Sequence, residues 1–470
     1  MKFEFVNIPQ LGIARGGRRA AKPQYNPEKR YVFHYDVREH LIQPHVVKFS
    51  GGRSSGMLLL ALLNGGVLRA DRGDVVVFNN TSAEHPATYD FAARLKKITE
   101  QEYGIPFFWT EFQTYEDAVN GDWVRLPSYR LVNARPYSDK NPDGYHSGGE
   151  VFEELISWKK FLPNQFKRIC TAEMKLFVTK EFLRDWFARK PSIDRLGHYY
   201  EHSMQDNETI TRLHKRNGGA TPDNILLQKT AYVRSRPTFR PHQEYATFSE
   251  LSGKVNNSDL DGKQRGGRVA LEGDHCVDYA AFVGFRGDEP ARLARMKARN
   301  YDRVELDNGG DPHIAAPEGE YVYAPLADMG ITKEDVFAFW RENKKHDLRL
   351  PHQVNFSNCV FCFLKGSGNL VDNIASREKV EKRLPKKFQS RPDTPADIAW
   401  WANIEQKYGR DLRREGRTIN SETAGENPIV GFWGMNGKLS YKQLAESRCK
   451  PEKLSIIREE NAALPCDCTD

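Results

Sequence analysis

Seven cysteines in 470 residues are too few, and too unevenly spaced, for the disulfide framework of a secreted domain. No stretch approaches the roughly 18 uninterrupted apolar residues that mark a membrane-spanning helix. The opening Met1-Lys2-Phe3-Glu4-Phe5 does not read as a secretory signal. These absences give the expectation of a soluble, cytoplasmic protein. Charge of one sign is not in large excess: 70 Lys and Arg stand against 63 Asp and Glu, a balance of +7. That is mildly basic rather than histone-like; it favours polyanionic partners, with charge spread over the surface for solubility as the alternative. No internal repeat is apparent. A chain of this length therefore fills one large core or two, and length alone suggests two to three units.

What is present is concentrated first at Val46-Val47-Lys48-Phe49-Ser50-Gly51-Gly52-Arg53-Ser54-Ser55-Gly56. A β-branched apolar run feeds a serine and two glycines, and Met57 to Leu63 continues as an apolar helical pattern. Strand, glycine turn and helix in that order aim orphan backbone amides and a helix dipole at one point, which favours an anion there. Glycines let the backbone approach phosphate oxygens, the serines add hydroxyl donors, and Arg53 adds a guanidinium suited to bidentate phosphate contact. The G-x-x-x-x-G-K-[ST] pattern of the Walker loop is absent. A plain glycine turn between a buried strand and a helix is the structural alternative.

Four further segments follow in order. Asn79-Asn80-Thr81-Ser82-Ala83-Glu84-His85-Pro86-Ala87-Thr88-Tyr89 sits behind a second apolar run, Asp74 to Phe78. It places a carboxylate and hydroxyls at a strand's carboxyl end; as plain structure it reads as a helix start with Thr81 or Ser82 as N-cap and Pro86 near N1. Arg168-Ile169-Cys170-Thr171-Ala172-Glu173-Met174-Lys175 and Phe282-Val283-Gly284-Phe285-Arg286-Gly287-Asp288-Glu289 come next. Tyr323 to Asp328 then leads to Ile331-Thr332-Lys333-Glu334-Asp335, where Thr332 and Asp335 spell a capping box.

Together these five segments, across about residues 46 to 366, resemble the PP-loop ATP pyrophosphatases. Within that group they are similar to the phosphoadenosine-phosphosulfate (PAPS) reductase-like branch, including DNA-phosphorothioation and phage-encoded members. The resemblance implies an α/β fold, a doubly wound parallel sheet of the adenine nucleotide alpha hydrolase-like kind. It implies cleavage of ATP between its α- and β-phosphates, or use of PAPS. Ser50, Gly51, Gly52 and Ser54, with Thr81, Glu84 and Gly284, would bind the nucleotide. Arg53, Ser55, Arg286 and Asp288 would be the catalytic set, with Mg²⁺ bridging the phosphates. Two departures stand out: Arg53 where the family often has Lys, and Ser54 where it has Asp.

Cys359-Val360-Phe361-Cys362 has the C-x-x-C spacing that grips a soft metal or forms a redox disulfide. It falls where cluster-bearing adenosine-phosphosulfate (APS) reductases carry a C-x-x-C. The same resemblance adds Cys170, although Thr171 replaces the second cysteine of the family's Cys-Cys pair. A [4Fe–4S] cluster normally takes four thiolates, so Cys276 is the expected fourth beside Cys170, Cys359 and Cys362. Zn²⁺ is the alternative, held by four cysteines or by three and His275 or His352. The tail Cys466-Asp467-Cys468 lacks the E-C-G-x-H of PAPS reductases, and its acidic neighbours disfavour a thiolate nucleophile.

The expected organisation is a basic arm over 1–44, the PP-loop domain over 45–366 and a helical C-terminal region over 367–470. Strands are expected at 46–50, 74–78 and 106–111, with helices at 57–64 and 86–103. A polar insertion over 190–275 combines Arg234, Arg236, Arg240 and Lys254 with Tyr232, Phe239, Tyr245 and Phe248. Cations and aromatics of this kind suit contact with a nucleic acid, DNA or tRNA. Pro395 to Tyr408, with Trp400 and Trp401, reads as an amphipathic helix docking the C-terminal unit. The functional expectation is ATP-dependent adenylylation or sulfur transfer to a nucleic acid. A sulfur-donor protein and a homo-oligomer are compatible with it. A sulfonucleotide reductase and a silent nucleotide-binding subunit are the alternatives.

Overall fold

The computed structural model describes residues 2–7, 30–35, 44–70, 73–117, 124–141, 143–159, 161–164, 167–188, 279–294, 296, 320–352, 356, 358–411, 429–433 and 439–446. The basic insertion, Cys276 and the cysteines of the tail lie outside them, as do the cations at 15–29 of the expected arm. Within that arm, β1 (Lys2–Asn7) and β2 (Arg30–Tyr35) pair in parallel as a separate two-stranded sheet.

The main sheet has seven strands: β3 (His45–Phe49), β4 (Val75–Asn80), β5 (Phe107–Asp117), β6 (Val124–Pro136), β7 (Gly144–Tyr145), β8 (Tyr279–Val283) and β9 (Glu320–Tyr323). Their order across the sheet is β7-β6-β5-β4-β3-β8-β9. Val46, Val47, Val75, Val76 and Val77 are fully buried. Continuous β-branched runs of that kind suit parallel strands covered on both faces. All neighbouring pairs are parallel except β5–β6. That exception departs from the expected all-parallel sheet. β5 also runs on to Asp117, past the expected end at 111, because Phe112 to Asp117, beyond the last pairing with β4 at Glu111, pair with Val124 to Tyr129 of β6.

Flanking helices are α1 (Arg53–Asn64), α2 (Pro86–Tyr103), α3 (Glu150–Lys159), α4 (Val178–Ala188), α5 (Lys333–Glu342), α6 (Gly366–Glu381), α7 (Ile398–Tyr408) and α8 (Tyr441–Glu446). The α/β architecture therefore stands. From β3 the chain winds outward through β4 and β5, whereas β8 and β9 lie on β3's other side. The carboxyl ends of β3 and β8 thus flank the point where winding reverses, the place at which open α/β sheets bind ligands. The expected tryptophan dock is present: Trp401 meets Phe152 of α3 edge-on at 5.3 Å and lies 5.3 Å from Tyr441. No helix among the described residues is long and apolar enough to cross a membrane.

Candidate functional site

The glycine-serine loop leaves β3 and enters α1 without a side-chain cap or an acidic residue in the first turn. The helix N-terminus therefore keeps its positive end uncompensated. Gly51 has φ +82°, and a Cβ there would come within 2.7 Å of Thr88 Cγ2, so only glycine fits this turn. Ser55 braces the loop internally. Its Oγ accepts from Ser50 N at 3.2 Å, lies 3.0 Å from Ser50 Oγ and donates to Gly52 O at 3.0 Å. Ser55 is fully buried, and these side-chain bonds all run to Ser50 and Gly52 of the same loop.

From the end of β8, Gly284 lies so close that a Cβ would sit 2.8 Å from Ser55 Cα and N. That contact brings the next turn against the loop. Arg286 reaches across it, its Nη1 donating to Ser54 Oγ at 3.1 Å. Asp288 accepts from Arg286 Nε at 2.9 Å, and Glu289 accepts from Arg286 N at 2.9 Å. Asp288 and Glu289 thus aim a guanidinium at the loop, and Asp288 acts by positioning Arg286.

Arg53 departs from expectation. Its Nε donates to Asp347 Oδ1 at 2.7 Å and its Nη2 to Asp347 Oδ2 at 3.2 Å, to Leu348 O at 2.6 Å and to Leu350 O. This largely buried fork fastens residues 347–350 to the head of α1, so Arg286 rather than Arg53 is the cation presented to the loop. Trp340 Nε1 adds a bond to Arg53 O at 2.9 Å.

Beyond β4, Thr81 Oγ1 lies 2.9 Å from both carboxylate oxygens of Glu84 and 3.4 Å from Cys359 Sγ. Ala83 N donates to Glu84 Oε2 at 3.1 Å, and Glu84 forms an antiparallel bridge with Cys359. Burial pushes the Glu84 carboxyl up from the usual range, against the pull of Lys175, Thr81, Ala83 and Lys365. Lys175 belongs to a π-helical stretch, Ala172–Phe177, that begins two residues after Cys170. The expected capping assignment changes here: His85 Nδ1 caps α2 by accepting from Ala87 N at 3.1 Å, while Ser82 Oγ accepts from Val151 N of α3 at 2.9 Å.

Cys170, Cys359 and Cys362 are not joined in a disulfide. Burial, followed by the charges of Cys362, Glu405, Cys359 and Cys170, pushes the Tyr441 hydroxyl well above its ordinary range. Cys170 and the C-x-x-C pair, 189 residues apart at their nearest (359 less 170), thus bear on one phenol, which donates to Phe361 O between the C-x-x-C thiols. Among the described residues, no group of three or more His, Cys, Asp and Glu is arranged to hold a metal ion. The donor type suits a soft metal; the arrangement of these residues does not by itself make a centre.

Of the charged residues here, Lys175 closes the Arg168–Lys175 segment that its pattern marks, and Lys365 lies three residues past Cys362. Asp347 carries no local signal, since its partner Arg53 lies 294 residues away. No family model, no curated protein and no solved structure matches this chain.

Proposed function

We propose that the chain is a PP-loop enzyme of the PAPS reductase-like kind, with an adenine nucleotide alpha hydrolase-like fold, that cleaves ATP between the α- and β-phosphates to activate a nucleic acid for sulfur transfer. The observation that carries this reading is the Arg286–Ser54 contact, which joins the uncapped loop after β3 to the turn after β8 at the switch point of the sheet. Backbone amides of Gly51 and Gly52, the α1 terminus and Ser54 would cradle the departing pyrophosphate. Arg286, fixed by Asp288 and Glu289, would meet charge as it develops on the phosphates. An acceptor oxygen bonds to the α-phosphorus as the α–β bridge breaks, and its proton passes to solvent. Thr81 and Glu84, at the carboxyl end of β4, would line the nucleotide site. Mg²⁺ would supply phosphate charge neutralisation. A [4Fe–4S] or zinc centre at Cys170, Cys359 and Cys362 belongs to the proposal through its donor chemistry, and no step is assigned to it.

The test is turnover of α-labelled ATP by anaerobically purified full chain, with DNA or tRNA and without either. Labelled AMP or labelled nucleic acid, with pyrophosphate, is the expected result. Sulfite release from PAPS without ATP cleavage would instead mark a sulfonucleotide reductase, and no turnover of either nucleotide would mark a silent subunit.

A further inference from the structure

A second feature lies on α2 and is tied to the head of α1 through residues 347–350. Asp90, in the second turn of α2, is shared by three cations from three segments. Arg94 Nε lies 2.9 Å from it, Lys387 Nζ 3.6 Å and Arg349 Nε 3.9 Å. The buried ring of Phe388 holds two of these cations in place, with Lys387 Nζ 4.5 Å and Arg349 Cζ 5.3 Å from its centroid. Arg94 also fastens the 343–350 segment, donating to Asp347 O at 2.9 Å and Lys345 O at 3.3 Å. One carboxylate cannot neutralise three cations. Lys344, Lys345 and Lys386 flank them, exposed, and no carboxylate pairs with any of these three among the described residues. Asp347, the nearest acid on the same segment, is paired with Arg53.

We infer that this cationic shelf takes the phosphodiester backbone of the nucleic-acid acceptor. The inference rests on the nucleic-acid reading above and gives that acceptor a place. Charge selects a polyanion, and the pinned cations are pre-organised for repeated phosphate contact rather than for a single small ion. The location fits as well: Asp90 lies one turn along α2 from the Glu84–His85 corner, and the 347–350 segment is fastened to the head of α1 by Arg53.

The test is fluorescence anisotropy of the full chain, without ATP, on labelled single-stranded DNA, duplex DNA and tRNA across a salt series. The Arg349→Gln/Lys387→Gln double variant is expected to bind about ten-fold or more weakly, with the slope of log K against log salt reduced by about 1.4 to 1.8. Lys442→Gln, an exposed change on α8, is expected to leave both unchanged. Asp90→Asn is expected to tighten binding, a gain that misfolding cannot imitate. Unchanged affinity and slope in the double variant would overturn the shelf. Displacement of the nucleic acid by polyglutamate at equal charge concentration would overturn it too, in favour of an acidic protein. Loss of binding in the double variant with no ATP cleavage in any form would keep the shelf and sink the catalytic reading. Intact ATP cleavage with no nucleic-acid binding would do the reverse.

Discussion

Arg286 and Ser54 lie 232 residues apart in the chain, yet the Arg286 guanidinium donates to the Ser54 hydroxyl across 3.1 Å. Two strand ends are thereby joined at their tips, and a charged fork held by two carboxylates faces an uncapped helix terminus. Replacing Arg286 by Gln is expected to lower kcat for ATP cleavage by about 10²- to 10³-fold, the scale of removing one preorganised donor from a transition state. Pyrophosphate release measures it; a rate within a factor of two of the parent would remove Arg286 from the mechanism.

Arg53 gives the opposite expectation. Its partners are Asp347 and the Leu348 and Leu350 carbonyls, so Arg53→Gln should cost about 3 kcal/mol of stability, as breaking a largely buried pair does. The KM for nucleotide should stay close to the parent's in folded protein. Urea denaturation and steady-state kinetics separate the two effects, and a large rise in KM with unchanged stability would return Arg53 to the phosphates.

Gly284→Ala places a methyl group 2.8 Å from the Ser55 backbone, with no flexible side chain to yield. The expected cost is about 1–3 kcal/mol, together with loss of nucleotide binding, because the loop and the turn after β8 must part. Calorimetric titration with a non-hydrolysable ATP analogue reads the binding half of this expectation. Parental affinity would show that the two strand ends need not touch.

Glu405 sets a pH dependence. Burial raises its carboxyl from 4.5 to about 7 against the pull of the Tyr441, Phe432 and Lys442 backbone amides. A raised carboxyl stabilises the fold fully below its unfolded value, and that stability is lost as pH rises from 4.5 through about 7. The shift corresponds to about 3 kcal/mol at order of magnitude. His85 works in the other direction: burial lowers its pKa, so its contribution is complete above 6.5 and declines as the solution is acidified below that. Glu405→Gln should flatten the profile between pH 5 and about 7 while leaving the acid limb. A parallel, merely displaced profile would assign the dependence elsewhere.

On the proposed cluster reading, anaerobically purified protein carries iron and acid-labile sulfide, and Cys359→Ser or Cys170→Ser loses both. Metal analysis with visible absorbance decides it. Zinc in place of iron would support the other soft-metal reading, and a metal-free parent would leave the thiols as neighbours of Tyr441 only.

The sequence was most legible where chemistry is local. Gly51-Gly52 after Val46 to Phe49 announces strand, turn and helix, because glycine backbone freedom and β-branched burial act over a few residues. The Thr332–Asp335 capping box forms as its spacing implied. What escaped depended on distant partners. The direction of Arg53 is decided by Asp347, and the hydroxyl of Ser82 is claimed by Val151 of a different helix. The reversal at β6 escaped for a related reason: Phe107 to Asp117 alternates no differently for an antiparallel neighbour than for a parallel one, and only the pairing with Val124 to Pro136 distinguishes them.

The position of Trp401 and Tyr441 bears on how the chain is made. Trp401 completes the layer over Phe152, and Tyr441 closes on the carbonyl of Phe361 between the two cysteines. Both follow residue 400, whereas the glycine-serine loop precedes residue 57. A ribosome-bound chain stalled before residue 400 would therefore carry every residue of the glycine-serine loop and still lack Trp400, Trp401 and Phe432, the rings that pack on Phe152, leaving that apolar face a target for chaperones until they emerge.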